Sequence, residues 1–176
     1  MTPTQEQAQP RVAIADAIDG FIRRSGLCIA WVYVLLVAVI VLQVTLRKGF
    51  SSGLIALEEL QWHLYAIGVM FGMAYAQVTD SHVRVDLLYS NFRQRTKRIV
   101  EIFAIVVFAL PFLYVVFDHS LDFVADSWRI DERSSAPSGL PYRWAIKAVM
   151  PVSVAYLALA MVSRLIREVV LLKRGE

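Results

Sequence analysis

Charge is what this sequence has least of. Asp, Glu, Lys and Arg make up 19% of its 176 residues, against about 25% in an average soluble domain. Cysteine is almost absent. The single one, Cys28, lies inside an apolar run, which excludes a disulfide within the chain and a cysteine metal site. There is no internal repeat and no low-complexity tract. A cleaved secretory leader is not expected, because residues 1–26 are long and polar, with Glu6, Asp16 and Asp19. They lead into an apolar run too long for a signal's hydrophobic region, which predicts a retained span.

What is present in excess is apolar surface. Hydrophobic residues make up 57% of the chain and its mean hydropathy is +0.54, a composition that points to the bilayer. The isoelectric point near 9.2 and net charge of +3 imply no nucleic-acid partner, since the cytoplasmic loops of membrane proteins are basic in any case. The predicted fold is all-α: four membrane-spanning helices over about 25–46, 60–79, 99–120 and 145–165, preceded by an N-terminal amphipathic helix. A span needs roughly 20 apolar residues. The expected organisation is a cytoplasmic tail over 1–24, a four-helix membrane domain over 25–165 and a cytoplasmic C-terminal tail over 166–176. Twelve of the 18 Lys and Arg residues fall in the two tails, the middle loop and, for Arg164, the end of the fourth span beside the C-terminal tail, which predicts that both termini are cytoplasmic. Residues 11–24, RVAIADAIDGFIRR, carry an apolar face opposite Arg11, Asp16, Asp19 and Arg23, the pattern of a helix lying flat at the interface or packing on another subunit.

Several constellations invite chemistry. The middles of the spans are apolar and only Pro111 is seen to interrupt one centrally, whereas a self-sufficient carrier keeps ionisable groups or matched broken helices at the midplane. His63 and His119 sit near the same side of the membrane, where two such rings would ligate a b-type haem; interfacial hydrogen bonding is the simpler account. Gly68, Gly72 and Ala76 repeat every four residues and suit close helix packing. Glu58 and Glu59 open the second span, where carboxylates favour a helix N-terminus. Asp118, Asp122 and Asp126 share one face if the third helix continues outward, with Arg129 beyond them. That row fits solvent or a basic partner better than a metal ion. The segment AQVTDSHVRVDLLYSNFRQRTKR, 76–98, holds no nucleophile–base pair. Its His82, Arg84 and Asp86 alternate with apolar residues, as a half-buried extended segment does, and buried charges there require partners.

The block EELQWHLYAIGVMFGMAYAQVTDSHVRVDLLYSNF resembles the small membrane (Q, DctQ-like) subunit of tripartite ATP-independent periplasmic (TRAP) transporters. The resemblance rests on Glu59, Leu60, Gln61 and Trp62, on the His82–Asp86 turn, on SGLPYRWAIKAVMPV at 138–152, and on the four-span layout. It covers about residues 25–165. It implies a non-enzymatic scaffold subunit that pairs with a large (M) elevator subunit and helps a periplasmic substrate-binding (P) protein dock. Uptake of an organic acid would be coupled to sodium held by the large subunit, and this chain would carry no cofactor or metal. Membrane lipids are the remaining expected partner. Glu59, Gln61, Trp62, His82, Arg84 and Asp86 then become candidates for a structural clasp or subunit interface, Gly68, Gly72 and Ala76 for helix packing, and Asp118, Asp122, Asp126 and Arg129 for a docking face. The alternatives are a haem-binding anchor of a redox complex and a tetraspan scaffold with no transport role.

Overall fold

The computed structural model describes residues 12–81 and 93–174, and every regular element among them is helical. Helix α1 covers Ala13–Gly49, α2 Ile55–Val78, α3 Gln94–Arg129 and α4 Arg143–Arg174. Three of these, α1, α3 and α4, are long and apolar enough to cross a membrane, and the chain is an integral membrane protein. Helix α2 has 24 residues, about 36 Å at 1.5 Å per residue, but Gln61, His63 and Gln77 dilute its apolar character. It lies against α1 and α4, and α4 is also the helix on which α3 rests.

The predicted interfacial helix is not a separate element. Residues 13–24 are the first turns of α1, which runs without a break for 37 residues. The physical reason is that one edge of its apolar face, Ala15, Ile18 and Ile22, is covered by protein, while Ile14 and Phe21 stay exposed. Ile22 is fully buried against Ala74 of α2 and Ala160 of α4, with Ile18, Val78, Tyr156 and Leu157 around them. Residues 166–174, expected as a C-terminal tail, continue α4 as helix and bury Arg167, Glu168 and Leu171.

The α1–α2 pair is an antiparallel hairpin whose seam is set by two reciprocal glycine–tyrosine contacts. Gly26 of α1 takes the Tyr75 ring of α2, and Gly68 of α2 takes the Tyr33 ring of α1. A Cβ at either glycine would come within 2.5 Å of a ring carbon, closer than packed atoms allow. Leu36, Val39 and Leu64 continue the seam towards the connection at 50–54.

Two helix ends are closed by aspartates in the left-handed conformation, where glycine is the usual residue and Asp is among those that tolerate it. At the end of α2, Asp80 has φ 55°; its N–H donates to Gln77 O, and the N–H of Ser81 donates to Ala76 O. At the end of α3, Asp131 has φ 47°, and the N–H groups of Asp131 and Glu132 close the same pair of bonds onto Trp128 and Ser127. These caps stop both helices and place Asp80 and Glu132 beside α4. Within α3, one wider π-helical turn, Ile105–Ala109, precedes Pro111. The proline has no N–H to return to the preceding turn, and the wide turn accommodates the defect. A second proline, Pro151, lies buried inside α4, where the sequence reading names none.

Candidate functional site: ionic clusters at the two ends of the bundle

The charged side chains that pair across helices gather at the ends of the bundle. At the end that carries the chain termini, Arg167 of α4 donates from Nη2 to Asp19 at 2.5 Å and to Asp16 at 3.0 Å, both on α1. Ser163, one turn earlier on α4, donates to the Asp19 carboxylate and lies 3.1 Å from the Ala15 carbonyl. On the next face of α4, Arg164 stands 3.1 Å from Glu168, 3.4 Å from Glu101 of α3 and 3.6 Å from Asp80. Glu168 also accepts from Arg98 of α3 at 2.8 Å. Two ionic clusters on adjacent faces of α4 therefore tie it, one to α1 and the other to α3 and to Asp80 just past the end of α2. The side chain of Arg167 is 7% exposed and that of Glu168 8%, so neither charge has enough water around it to stand without these partners.

The opposite end, formed by the 50–54 and 130–142 connections, is tied by different chemistry. Gln43, a buried amide in the apolar half of α1, donates to Leu54 O at 3.2 Å and accepts from Leu54 N–H at 3.4 Å. Leu54 caps α2, so one side chain satisfies two backbone groups at that helix start. Glu59 of α2 accepts from the Ser134 hydroxyl and, at 2.6 Å, from the Leu140 N–H. Gly139 permits this approach, since a Cβ there would come within 2.8 Å of Glu59 Oε2. Glu132 pairs with Lys147 and lies 3.7 Å from Arg143, both on α4. The Lys147 ammonium also sits 3.9 Å from the centre of the Phe123 ring on α3, a cation–π contact.

The Lys147 hydrogen bond holds the Glu132 carboxyl below the usual carboxylate range. A carboxyl whose pKa is lowered by folding adds stability above its ordinary pKa, and that contribution is lost as pH falls through the lowered value. The melting temperature in detergent is therefore expected to fall on acidification through and below the ordinary carboxylate range, and Lys147→Met to remove part of that fall. Parallel pH profiles for the two proteins would show that the pair contributes nothing.

The residues singled out in the sequence separate accordingly. Glu59 joins α2 to the 130–142 connection; the sequence reading places it at its own helix N-terminus and, by the resemblance, among the clasp or subunit-interface residues. Glu58 does lie in the first turn of α2, paired with Gln43 and Arg47. Gln61 is half-buried and Trp62 points outward, 70% exposed. Of the small residues, Gly68 contacts Tyr33, while Gly72 has nothing within 4 Å of a Cβ position; Ala76 is half-buried. Asp118, Asp122 and Asp126 are exposed along α3, and Asp126 pairs with Arg129 at 3.4 Å. His119 donates from Nδ1 to Val115 O within its own helix. His82, Arg84 and Asp86 lie outside the described residues. Asp16, Asp19, Gln43, Asp80, Arg98, Glu101, Arg164, Arg167 and Glu168 were missed as site residues. The available signals were Asp16 and Asp19 at i, i+3 and the Ser163, Arg164, Arg167, Glu168 run, which share faces of their helices.

Residues 36–171 match the family model of tripartite ATP-independent periplasmic transporters, DctQ component. The chain belongs to the DctQ family. Comparison with curated proteins yields no match. As a DctQ component it is a multi-pass inner-membrane protein of a TRAP system, a transporter component and not an enzyme, and a tripartite system implies M and P components beside it. The matched region starts within α1. Of the Arg167–Asp16/Asp19 contact between α1 and α4, Arg167 lies inside the matched region and Asp16 and Asp19 before it.

Proposed function

We propose that this DctQ chain is the rigid small subunit of a sodium-coupled TRAP transporter, the fixed scaffold against which the large M subunit moves an organic acid across the membrane. The observation that carries this reading is the distribution of charge. Interhelical ion pairs lock the bundle at both ends, while the stretches 25–46, 60–79, 102–117 and 148–163 contain no Asp, Glu, Lys or Arg. A bundle locked at both ends with an apolar midsection is suited to standing still and offering its flank, and sodium and substrate belong in the partner. In this reading α2 is the fourth crossing, both termini are cytoplasmic by the distribution of Lys and Arg, and the 50–54 and 130–142 connections face the periplasm. On sequence grounds the His82–Asp86 turn, with Arg84, adds a clasp to the cytoplasmic cluster.

The test is purification from the native host with a C-terminal tag in mild detergent. The expected result is stoichiometric recovery of a large polytopic membrane protein, together with loss of organic-acid uptake when this chain is deleted. Recovery of the chain alone, or with a haem absorbance band, would overturn the proposal.

The exposed acidic row on α3 would meet a basic patch on the P protein. Complementary charge acts mainly on association rate. Changing Asp118, Asp122 and Asp126 together to Asn is expected to raise the concentration of P protein giving half-maximal uptake about tenfold and to flatten its salt dependence. Unchanged uptake at limiting P protein would remove this face from the docking surface.

A further inference from the structure

Helix α3 is not one uninterrupted α-helix. It consists of Gln94–Ala104, one wide π turn over Ile105–Ala109, and Leu110–Arg129. A π turn closes its hydrogen bonds five residues apart in place of four, so it holds one residue more than the helix on either side. The missing N–H of Pro111 explains why a wide turn is tolerated at this place. It leaves open what the additional residue does.

The stripe that α3 buries is informative here. Arg98 reaches Glu168 of α4 at 2.8 Å, and the buried residues that follow it on α3 are Ile105, Leu113, Ser120 and Ser127. Along the chain these five positions are spaced by seven, eight, seven and seven residues. In an α-helix seven residues fall about 20° short of two full turns, and a stripe with that spacing winds slowly round the helix, as the seam between two packed helices does. Eight residues overshoot two turns by about 80°. The one spacing of eight, from Ile105 to Leu113, is the one that contains the π turn. The wide turn absorbs the extra residue, so that eight residues there rotate the helix through about the angle that seven do elsewhere.

We infer that the π turn is a phase-setting device, whose one additional residue lets two parts of α3 dock on the same helix, α4, by different chemistry. The part nearer the termini attaches by charge, Arg98 to Glu168 and Glu101 to Arg164. The distal part attaches by packing, through Leu113, Ser120 and Ser127 and through the edge-to-face pair of Trp128 with Trp144. In an unbroken helix of the same sequence, one part would be turned about 100° from its seat while the other stayed in place. Buried Glu168 would then lose Arg98, or the tryptophan pair would part. Pro111 fixes where the wide turn sits, because an unbroken helix would press its ring against the carbonyl four residues earlier. The same residue sets the direction in which the exposed row Asp118, Asp122 and Asp126 points relative to the ion pairs of the terminal end.

The test compares two single-residue deletions in the full chain, each followed by thermal unfolding in detergent. Deleting Pro111 removes the proline and the extra residue together and leaves spacings of seven throughout. That protein is expected to melt within about 3 °C of wild type, or above it. Deleting Asp122, whose side chain is exposed, removes no packing but turns the end of α3 out of phase. Its Tm is expected to fall by about 10 °C or more. A second measurement separates a kept phase from a helix merely improved by losing its proline. Arg98→Ala should lower the Tm of the Pro111 deletion by as much as it lowers that of wild type, because Arg98 still meets Glu168. A Pro111 deletion that melts as low as the Asp122 deletion would overturn the inference. So would an Asp122 deletion as stable as wild type, or an R98A substitution that costs the Pro111 deletion nothing.

Discussion

Arg167→Ala is expected to be the most damaging single substitution in the terminal half of the bundle, lowering stability by about 3–5 kcal/mol, the usual loss when one member of a buried ion pair is removed. The arginine is buried and holds two carboxylates on α1, Asp16 and Asp19. Its truncation leaves those charges facing each other across one helical turn with no counter-ion. The measurement is thermal unfolding of the tagged chain in detergent, monitored by size-exclusion fluorescence. Adding Asp16→Asn and Asp19→Asn to R167A is expected to restore part of the loss, because the uncompensated charges are then gone. Arg23→Ala, at an exposed position of α1, should stay within about 0.5 kcal/mol of wild type. An R167A protein that melts with the R23A control would mean that the network stabilises nothing.

Alanine at the glycines of the α1–α2 seam is expected to give opposite signs at positions that look alike in the sequence. In a helix interior, Gly→Ala by itself stabilises by about 0.5–1 kcal/mol. At Gly26 the new methyl meets Cδ2 of Tyr75 at 2.5 Å and Cβ of the same residue at 3.2 Å. That is the base of the side chain, which moves only if α2 moves, and overpacking of this kind costs about 1–3 kcal/mol. At Gly68 the obstacle is the tip of the Tyr33 ring, which is partly exposed and can swing, so the loss should be smaller. At Gly72 nothing obstructs the methyl and the helix gains. The melting temperatures are therefore expected to run G72A above wild type, then G68A, then G26A. Any other order would show that the two glycine–tyrosine contacts do not set the seam.

How much of this was legible beforehand follows from the range over which each signal acts. Helix content, the break at Pro141 and the continuation of α3 through Asp118, Asp122 and Asp126 depend on neighbours a few residues apart, and they stand in the structure. The family resemblance was legible for the same reason, since it rests on short ordered blocks. The partners of Asp16 and Asp19 were not legible. Arg167 lies about 150 residues further on, and its charge has an adequate explanation in topology alone. The amphipathic start of α1 was ambiguous in principle: an apolar stripe beside basic residues has the same pattern whether headgroups or a second helix cover it. Gln43 was invisible because one amide in an apolar run carries no local mark of the backbone groups at Leu54 that it serves. Glycine spacing marked α2 as a packing helix, but not which glycine has an aromatic ring opposite it.

Locking the bundle at its two ends also fixes the vertical alignment of its helices. Apolar helices in lipid pack about equally well after sliding by one turn, about 5.4 Å, because one stripe of Leu, Val and Ala resembles the next. Such a slip of α4 would carry Arg167 away from Asp16 and Asp19, Arg164 from Asp80, and Lys147 from Glu132, all in one movement. Misaligned bundles would thus leave charges without partners at both ends together, so that ion pairs at the ends, and not only the glycine–tyrosine fit of the α1–α2 seam, set the correctly aligned state apart from its near neighbours.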